Sequence, residues 1–177
     1  IIGELTKAAL ATAEYYLQTS PTNGVPYWDT HAPDLSRLSK IGDNPADPFN
    51  DEEPVDSSAA AVAAQGFLRL ARFLEQHASD PPVERYRQAG LTIAATLMDS
   101  PYLSEDPEHE GLLLHSVYHR PRGWDYIPAG WRIPCGESSQ WGDYHLRELA
   151  LYLQRIREEG PYLTFWANQE SNHAASP

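Results

Sequence analysis

The sequence predicts an all-helical domain in which outer and inner helices alternate and one end of the bundle carries the function. Three observations lead to this prediction: helical periodicity, one segment rich in small residues, and long connections that alternate with a short one. Apolar residues recur at three- and four-residue steps in four segments. The stripes run from Ile2 to Tyr16, from Ala59 to Phe73, from Val83 to Leu97 and from Trp141 to Ile156.

The second helix is predicted to be an inner one. Its run Ala59–Ala64 is followed by Gly66, and small residues around most of a helix allow close packing on several sides. The first and third helices carry charged faces, with residues such as Glu4 and Glu84, and are predicted to be outer helices. Alternation of inner and outer helices follows.

Residues with capping chemistry stand at the predicted helix ends. Asp56 followed by two serines is a good N-cap cluster for the second helix. Asp80-Pro81-Pro82 would open the third helix, since proline is tolerated in a first turn. Ser138 or Ser139 could cap the fourth helix, and Gly160-Pro161 would stop it.

The connections predict a bundle with one functional end. About 35 residues join the first two helices and nearly 40 join the last two, and loops of this length usually have a function. Only a few residues around Ser79 to Pro81 join the second and third helices. If neighbouring helices are antiparallel, both long loops lie at the same end. There they lead into helix N-termini, which favour anions.

Composition excludes several classes of protein. A net charge of −12 argues against nucleic acid or an anionic membrane surface as partners. No run of about 18 apolar residues is present to span a membrane. Cys135 is the only cysteine, which excludes internal disulfides and cysteine-cluster metal sites, and it slightly favours the cytoplasm.

The charge is unevenly distributed along the 177 residues. Between Leu112 and Gly136, Asp125 is the only acidic residue, whereas Arg120, Arg122 and Arg132 are basic. Such an island is usually a solvated loop; the functional alternative is a loop that faces an anion.

Three motifs at the functional end each have a structural and a functional interpretation. Gly24–Asp29 combines two aromatic residues with a carboxylate, as sugar sites do, but it could equally anchor the loop. Asp56 is favoured as a helix cap over a catalytic acid. In Ser138–Tyr144, serine hydroxyls and helix N–H groups could bind a carboxylate or could cap the helix, and Gly142 would allow the close approach of a ligand or a helix.

No metal site is expected, because the histidines lack ligand spacing and Asp43, Asp47 and Asp51 miss the spacing of a calcium loop. No phosphate-binding loop or nucleophile motif is present. The segment Gly111–Tyr118 could form a short strand or extended piece that leads to the functional end.

Four motifs in order resemble the unsaturated glucuronyl hydrolases of glycoside hydrolase family 88. They are Gly24–Asp29, Asp56–Ala61, Leu113–Ser116 with His119-Arg120-Pro121, and Trp141–Tyr144. The resemblance implies that residues 1–177 form the C-terminal half of a single (α/α)6 barrel domain. The polar composition of residues 167–177 separately predicts a tail that frays.

The resemblance also implies an activity. Such enzymes release unsaturated glucuronic acid from oligosaccharides left by polysaccharide lyases by hydrating the C4=C5 double bond, and they need no cofactor. An unsaturated rhamnogalacturonyl hydrolase or a non-catalytic carbohydrate-binding helical protein remains an alternative.

The family's catalytic aspartates belong to the first half of its barrel, so the resemblance implies no catalytic residue in this chain. The expected partners are the unsaturated uronyl oligosaccharide and the N-terminal half of the barrel. Ser138 is the expected substrate contact, with Ser139 and Trp141 as weaker neighbours in the same motif. The segment Gly123–Arg132 lengthens a link that is often short in the family.

Overall fold

The computed structural model describes residues 1–38, 40–77 and 82–160, which contain four α-helices. They are α1 (Ile2–Thr19), α2 (Ser57–His77), α3 (Val83–Leu97) and α4 (Gln140–Arg157). Two short 3-10 helices, Leu35–Arg37 and Arg120–Arg122, lie in the long connections. No β-strand occurs within the described ranges, so the predicted all-helical class is confirmed. The predicted helix start at Asp80-Pro81 and the predicted frayed tail at 167–177 lie outside the described residues.

Helix α2 is the central helix and packs against both α3 and α4. Ala60, Ala61 and Ala64 are completely buried, as the run of small residues predicts. Gly90 lets α3 approach closely, because a Cβ atom there would lie 2.7 Å from Leu68 Cγ and 3.0 Å from the Ala64 carbonyl oxygen. The small residues of α2 thus make it an inner helix.

Helix α1 lies outside this core, and Ala13 is its only buried residue. The Tyr16 ring packs edge-on against Phe67 of α2, with 5.5 Å between the ring centroids. Glu14 accepts a hydrogen bond of 2.8 Å from the Tyr86 hydroxyl. Its other oxygen lies 2.7 Å from the Arg85 guanidinium. Apolar packing of α1 against the core, which includes this ring contact, and one polar cluster therefore hold the outer helix α1 to α2 and α3.

The N-termini of α2 and α4 lie side by side, and both long connections lead into them. The Ser57 amide donates to the His115 carbonyl at 3.1 Å, and the Trp141 indole N–H donates to the Ser58 hydroxyl at 3.1 Å. We call this surface, formed by residues 56–58, 112–118, 125 and 138–143, the mouth. The prediction that both long connections meet at one end is confirmed.

A strand over Gly111–Tyr118 is not formed. The segment makes a single isolated bridge, between Leu103 and Leu113. Extension stops at His115, whose φ of 65° places it in the left-handed region. The segment nevertheless reaches the mouth, in agreement with the alternative prediction of an extended piece.

Gly142 allows the N-terminus of α4 to contact α2. A Cβ atom at this position would lie 2.8 Å from Ser116 Oγ, 2.9 Å from Ser139 Oγ and 3.3 Å from Ser58 Cβ. Such separations require the neighbouring groups to shift. Of the two possibilities raised by the sequence, close approach of a neighbouring helix is the one observed.

We expect Gly142→Ala to lower the free energy of unfolding by about 1–2 kcal/mol, because overpacking outweighs the gain in helix propensity. Gly66→Ala is the matched control, since a Cβ atom there meets nothing within 4 Å. We expect that control to raise stability by about 0.5–1 kcal/mol. Urea unfolding measures both; equal stabilisation by the two substitutions would show that α4 does not need this close approach.

Candidate functional site

Hydroxyl groups line the floor of the mouth. Ser57 Oγ donates 2.6 Å to the Leu114 carbonyl and lies 3.2 Å from Ser116 Oγ. Ser57, Ser58, Ser116 and Ser139 are all buried. Their hydroxyls form hydrogen bonds with backbone groups and with one another, as buried polar groups must. This buried layer lies beneath the exposed groups of the mouth and stabilises their positions.

The Asp56 carboxylate caps α2. Its Oδ1 accepts from the Ser58 amide at 3.0 Å, the Ser58 hydroxyl at 2.6 Å and the Ala59 amide at 3.3 Å. Oδ1 also lies 3.5 Å from the Val117 amide of the second long connection. Burial raises the pKa of Asp56, and these donors oppose that rise. The capping interpretation favoured from the sequence is confirmed by these bonds.

Two further carboxylates of the mouth are bound to backbone. Asp143 of α4 accepts from the Leu112 amide at 3.0 Å and from the Leu113 amide at 2.8 Å. Asp125 accepts from the amides of Tyr118 and His119. Each carboxylate therefore holds a turn of the second long connection in place.

The three predicted contact residues lie together at the start of α4, in different environments. Ser138 is partly exposed and packs tightly on Gly111. A Cβ atom added to Gly111 would overlap the Oγ atom of Ser138. Ser139 is buried, and its Oγ accepts from the Gly142 amide at 3.1 Å as the N-cap of α4. Trp141 is exposed and anchored by its indole N–H to Ser58. As substrate contacts, all three residues stay a prediction.

The motif Gly24–Asp29 serves as an anchor for the first long connection. Gly24 has a φ of 74°, and a Cβ atom there would lie 2.3 Å from Ile93 Cγ1. The Trp28 indole N–H donates to Glu53 Oε2 at 2.8 Å, and Asp29 Oδ1 accepts from the His31 amide at 2.7 Å. These contacts support the structural interpretation over the sugar-site alternative.

His115 joins the two long connections beneath the mouth. Its ring is buried and makes edge-on contacts with Phe49, at 4.9 Å between centroids, and with Tyr102, at 5.7 Å. Nδ1 accepts from the Gly136 amide at 3.1 Å, which places the proton of the neutral ring on Nε2. Burial lowers the pKa of His115 to about 4, against smaller opposing contributions from a backbone hydrogen bond to Pro101 and from the charge of Asp47.

Sequence reasoning missed a row of aromatic rings beside the mouth. Tyr118 stacks between Trp141, at 5.4 Å, and Trp124, at 6.0 Å. The signal was present in the density of aromatic residues between Tyr118 and Trp131, but spacing alone could not show which rings would meet.

Within the described ranges, no group of three or more His, Cys, Asp or Glu side chains is arranged to hold a metal ion. Among the same residues, no helix is sufficiently long and apolar to cross a membrane.

No family model matches the sequence. The chain is 30% identical over 86% of its length to an unsaturated glucuronyl hydrolase from Bacillus sp. (strain GL1). It is 29% identical over 76% of its length to an unsaturated chondroitin disaccharide hydrolase from Streptococcus agalactiae serotype III (strain NEM316). These matches confirm the resemblance drawn from the four motifs.

The fold agrees with the sequence relationship. The crystal structure of the Bacillus sp. GL1 enzyme superposes with a TM-score of 0.62 at 31% identity, over 86% of this chain and 34% of that one. The chain spans about a third of the length of the relatives it matches. Its four helices therefore correspond to a fragment of an (α/α)6 barrel.

Proposed function

We propose, since the chain is an unsaturated glucuronyl hydrolase-like sequence, that it forms part of a glycoside hydrolase that acts on unsaturated uronyl oligosaccharides. The substrates would be the products of polysaccharide lyases, and the reaction would release their terminal unsaturated glucuronyl residue in hydrated form. The observation that carries the proposal is the mouth itself, where the start of α4 presents Ser138 and the exposed Trp141 beside the N-terminus of α2. An aromatic ring beside hydroxyl groups suits a sugar, because apolar sugar faces stack while hydroxyls need partners.

The proposed reaction is the addition of water to the C4=C5 double bond. A general acid donates a proton to C4, and the oxygen of water bonds to C5. A base takes the second proton of the water, and the resulting hemiketal opens by breaking the bond between C5 and the ring oxygen. This leaves a hemiacetal at C1. The hemiacetal collapses by breaking the bond between C1 and the glycosidic oxygen, which stays with the remaining oligosaccharide as a hydroxyl group. One water molecule is consumed, and neither an oxidant nor a cofactor is required.

We propose that the acid and base of this reaction lie outside the described residues. Asp56, Asp125 and Asp143, the carboxylates placed at the mouth, each accept hydrogen bonds from backbone amides. Hydrogen bonds from amides favour the charged form of a carboxylate and therefore act against a role as proton donor. The mouth would thus bind and orient the substrate, while the acid and base come from elsewhere in the barrel.

The remaining helices of the barrel would cover both flanks of this helix array. On the α1 side, Ile2 and Leu5 are 73% and 65% exposed. On the α4 side, Tyr144 and Leu151 are also exposed. Exposed apolar side chains on both flanks support a partner that continues the barrel on each side.

The test uses the protein at its full natural length and an unsaturated glucuronyl disaccharide. We expect the ultraviolet absorbance of the conjugated double bond to disappear as the disaccharide is hydrated. An unsaturated galacturonyl disaccharide is the comparison, and faster loss with that substrate would favour the rhamnogalacturonyl activity instead. Absence of any loss with both substrates, under conditions in which the protein is folded, would contradict the proposal.

A further inference from the structure

The segment from Tyr118 to Arg132, which we call the rim, exposes large apolar side chains beside the mouth. Tyr118 is 57% exposed, Trp124 56% and Tyr126 60%. Trp131, close to the end of the rim, is 37% exposed. Four exposed aromatic side chains within one short segment, two of them in ring contact, are unusual on a protein surface and mark an interaction site.

Ring contacts fix both ends of the rim. Tyr118 stacks on Trp124 at 6.0 Å and on Trp141 at 5.4 Å, with interplanar angles of 28° and 26°. Centroid separations of this size indicate offset stacking, in which part of each ring face stays uncovered. At the other end, Trp131 packs against Phe49 of the first long connection at 5.6 Å.

Hydrogen bonds and buried neighbouring residues hold the backbone of the rim. Asp125 accepts from the amides of Tyr118 and His119, which closes the turn that carries Trp124. Ile133 and Cys135, which follow directly, are 2% and 6% exposed. The rings are therefore in place before a ligand arrives, which lowers the entropic cost of binding.

The rim is positively charged within an acidic protein. The rim contains three arginines, Arg120, Arg122 and Arg132. Its one acidic residue is Asp125, whose carboxylate is bound to backbone amides. The Arg122 guanidinium lies 5.3 Å from the centroid of the Trp124 ring. The chain as a whole has a net charge of −12, so this local reversal of sign selects for an anion.

We propose that the rim binds the part of an anionic oligosaccharide that extends beyond its first two sugar residues, the unsaturated uronyl residue and the sugar next to it. Trp124 and Trp131 would contact sugar ring faces, and Arg122 and Arg132 would pair with the acidic groups of the oligosaccharide. The proposal rests on the proposed function for the position of the substrate at the mouth. Its consequence is a preference for longer anionic oligosaccharides over disaccharides.

Aromatic rings and arginines together favour a carbohydrate over a helix of the rest of the barrel as the occupant. A packed helix would bury Arg122 and Arg132 next to apolar surface, which is costly for a charged group without a partner. An anionic oligosaccharide satisfies both groups at once, since its ring faces are apolar and its substituents are charged.

The test measures binding of saturated oligosaccharides that contain glucuronate, which the enzyme cannot hydrate, to the protein at its full natural length. Trp124→Ala and Trp131→Ala are expected to raise the Kd of a hexasaccharide at least tenfold more than that of a disaccharide. Arg122→Gln should reduce the preference for the anionic hexasaccharide over a neutral one of equal length. Tyr15→Ala, which removes an exposed ring on α1, is the control. Melting temperatures establish that each variant is folded.

Equal effects of the rim substitutions on the hexasaccharide and the disaccharide would overturn the inference. Equal binding of neutral and anionic hexasaccharides by the unsubstituted protein would also overturn it. Binding is measured independently of catalysis. Rim-dependent binding without loss of alkene absorbance would contradict the proposed function but would agree with this inference. Hydration of the disaccharide without rim-dependent binding would do the reverse.

Discussion

Asp143→Ala is expected to lower the free energy of unfolding by about 3 kcal/mol, because it leaves the amides of Leu112 and Leu113 without an acceptor. The carboxylate now accepts from these amides at 3.0 Å and 2.8 Å, and Leu113 is completely buried. An unsatisfied buried N–H group costs about 1–3 kcal/mol; the Leu113 amide becomes such a group, and the amide of the half-buried Leu112 also loses its partner. Urea unfolding monitored by tryptophan fluorescence measures the change.

Two further variants define the origin of this effect. Asp143→Asn keeps one carbonyl acceptor and should cost about half as much as the alanine substitution. Glu158→Ala removes an exposed carboxylate that accepts from Gln154 at 2.9 Å, and its effect should stay within about 0.5 kcal/mol. If Asp143→Ala were as mild as Glu158→Ala, the second long connection would not depend on α4 for its position.

Stability should fall by about 3 kcal/mol between pH 7 and pH 4 on account of His115 alone. Its pKa is about 4 in the folded protein, against 6.5 for an unperturbed histidine. In that window the unfolded chain takes up a proton that the folded protein excludes. Stability is therefore complete above the unfolded pKa, decreases as the pH falls towards the folded pKa and levels off below it.

The contribution of His115 is isolated by comparison with His115→Asn. Asparagine tolerates the left-handed conformation that this position requires, and it does not titrate. The variant should be less stable at pH 7, because it loses ring contacts with Phe49 and Tyr102. The difference between the two proteins should narrow as the pH falls to 4. A difference that stays constant with pH would mean that the buried ring does not control the acid sensitivity.

The sequence predicted those parts of the fold that depend on local chemistry. Asp56 and Ser139 carry capping side chains, and both cap the helices assigned to them. The small residues of α2 predicted an inner helix, and Ala60 and Ala64 are completely buried. In each case, a single segment contains the physical reason for its own structure.

Other features depend on contacts between segments that are distant in the sequence. The extended piece that begins at Gly111 stops at His115 because the ring is drawn into a pocket formed by Phe49 and Tyr102. The stack of Trp124, Tyr118 and Trp141 joins an irregular loop to a helix. The periodicity and spacing of one segment do not indicate which distant residues it will contact. The aromatic rim could therefore be identified only from the structure.

The site was predicted as a region more accurately than residue by residue. Both long connections meet at the mouth, as their lengths indicated. Within it, the sequence could not separate Ser138, which is partly exposed, from Ser139, whose hydroxyl caps α4. Two adjacent serines before a helix are equivalent in sequence, and only the backbone geometry decides which one becomes the cap.

A crystal structure of the protein at its full natural length with a saturated glucuronyl disaccharide tests the central claim most directly. We predict that the sugar lies at the mouth, within about 4 Å of the Trp141 ring and in hydrogen-bond contact with Ser138. A disaccharide bound at the opposite end of the bundle, near the connection between α2 and α3, would contradict the assignment of this face as the substrate site.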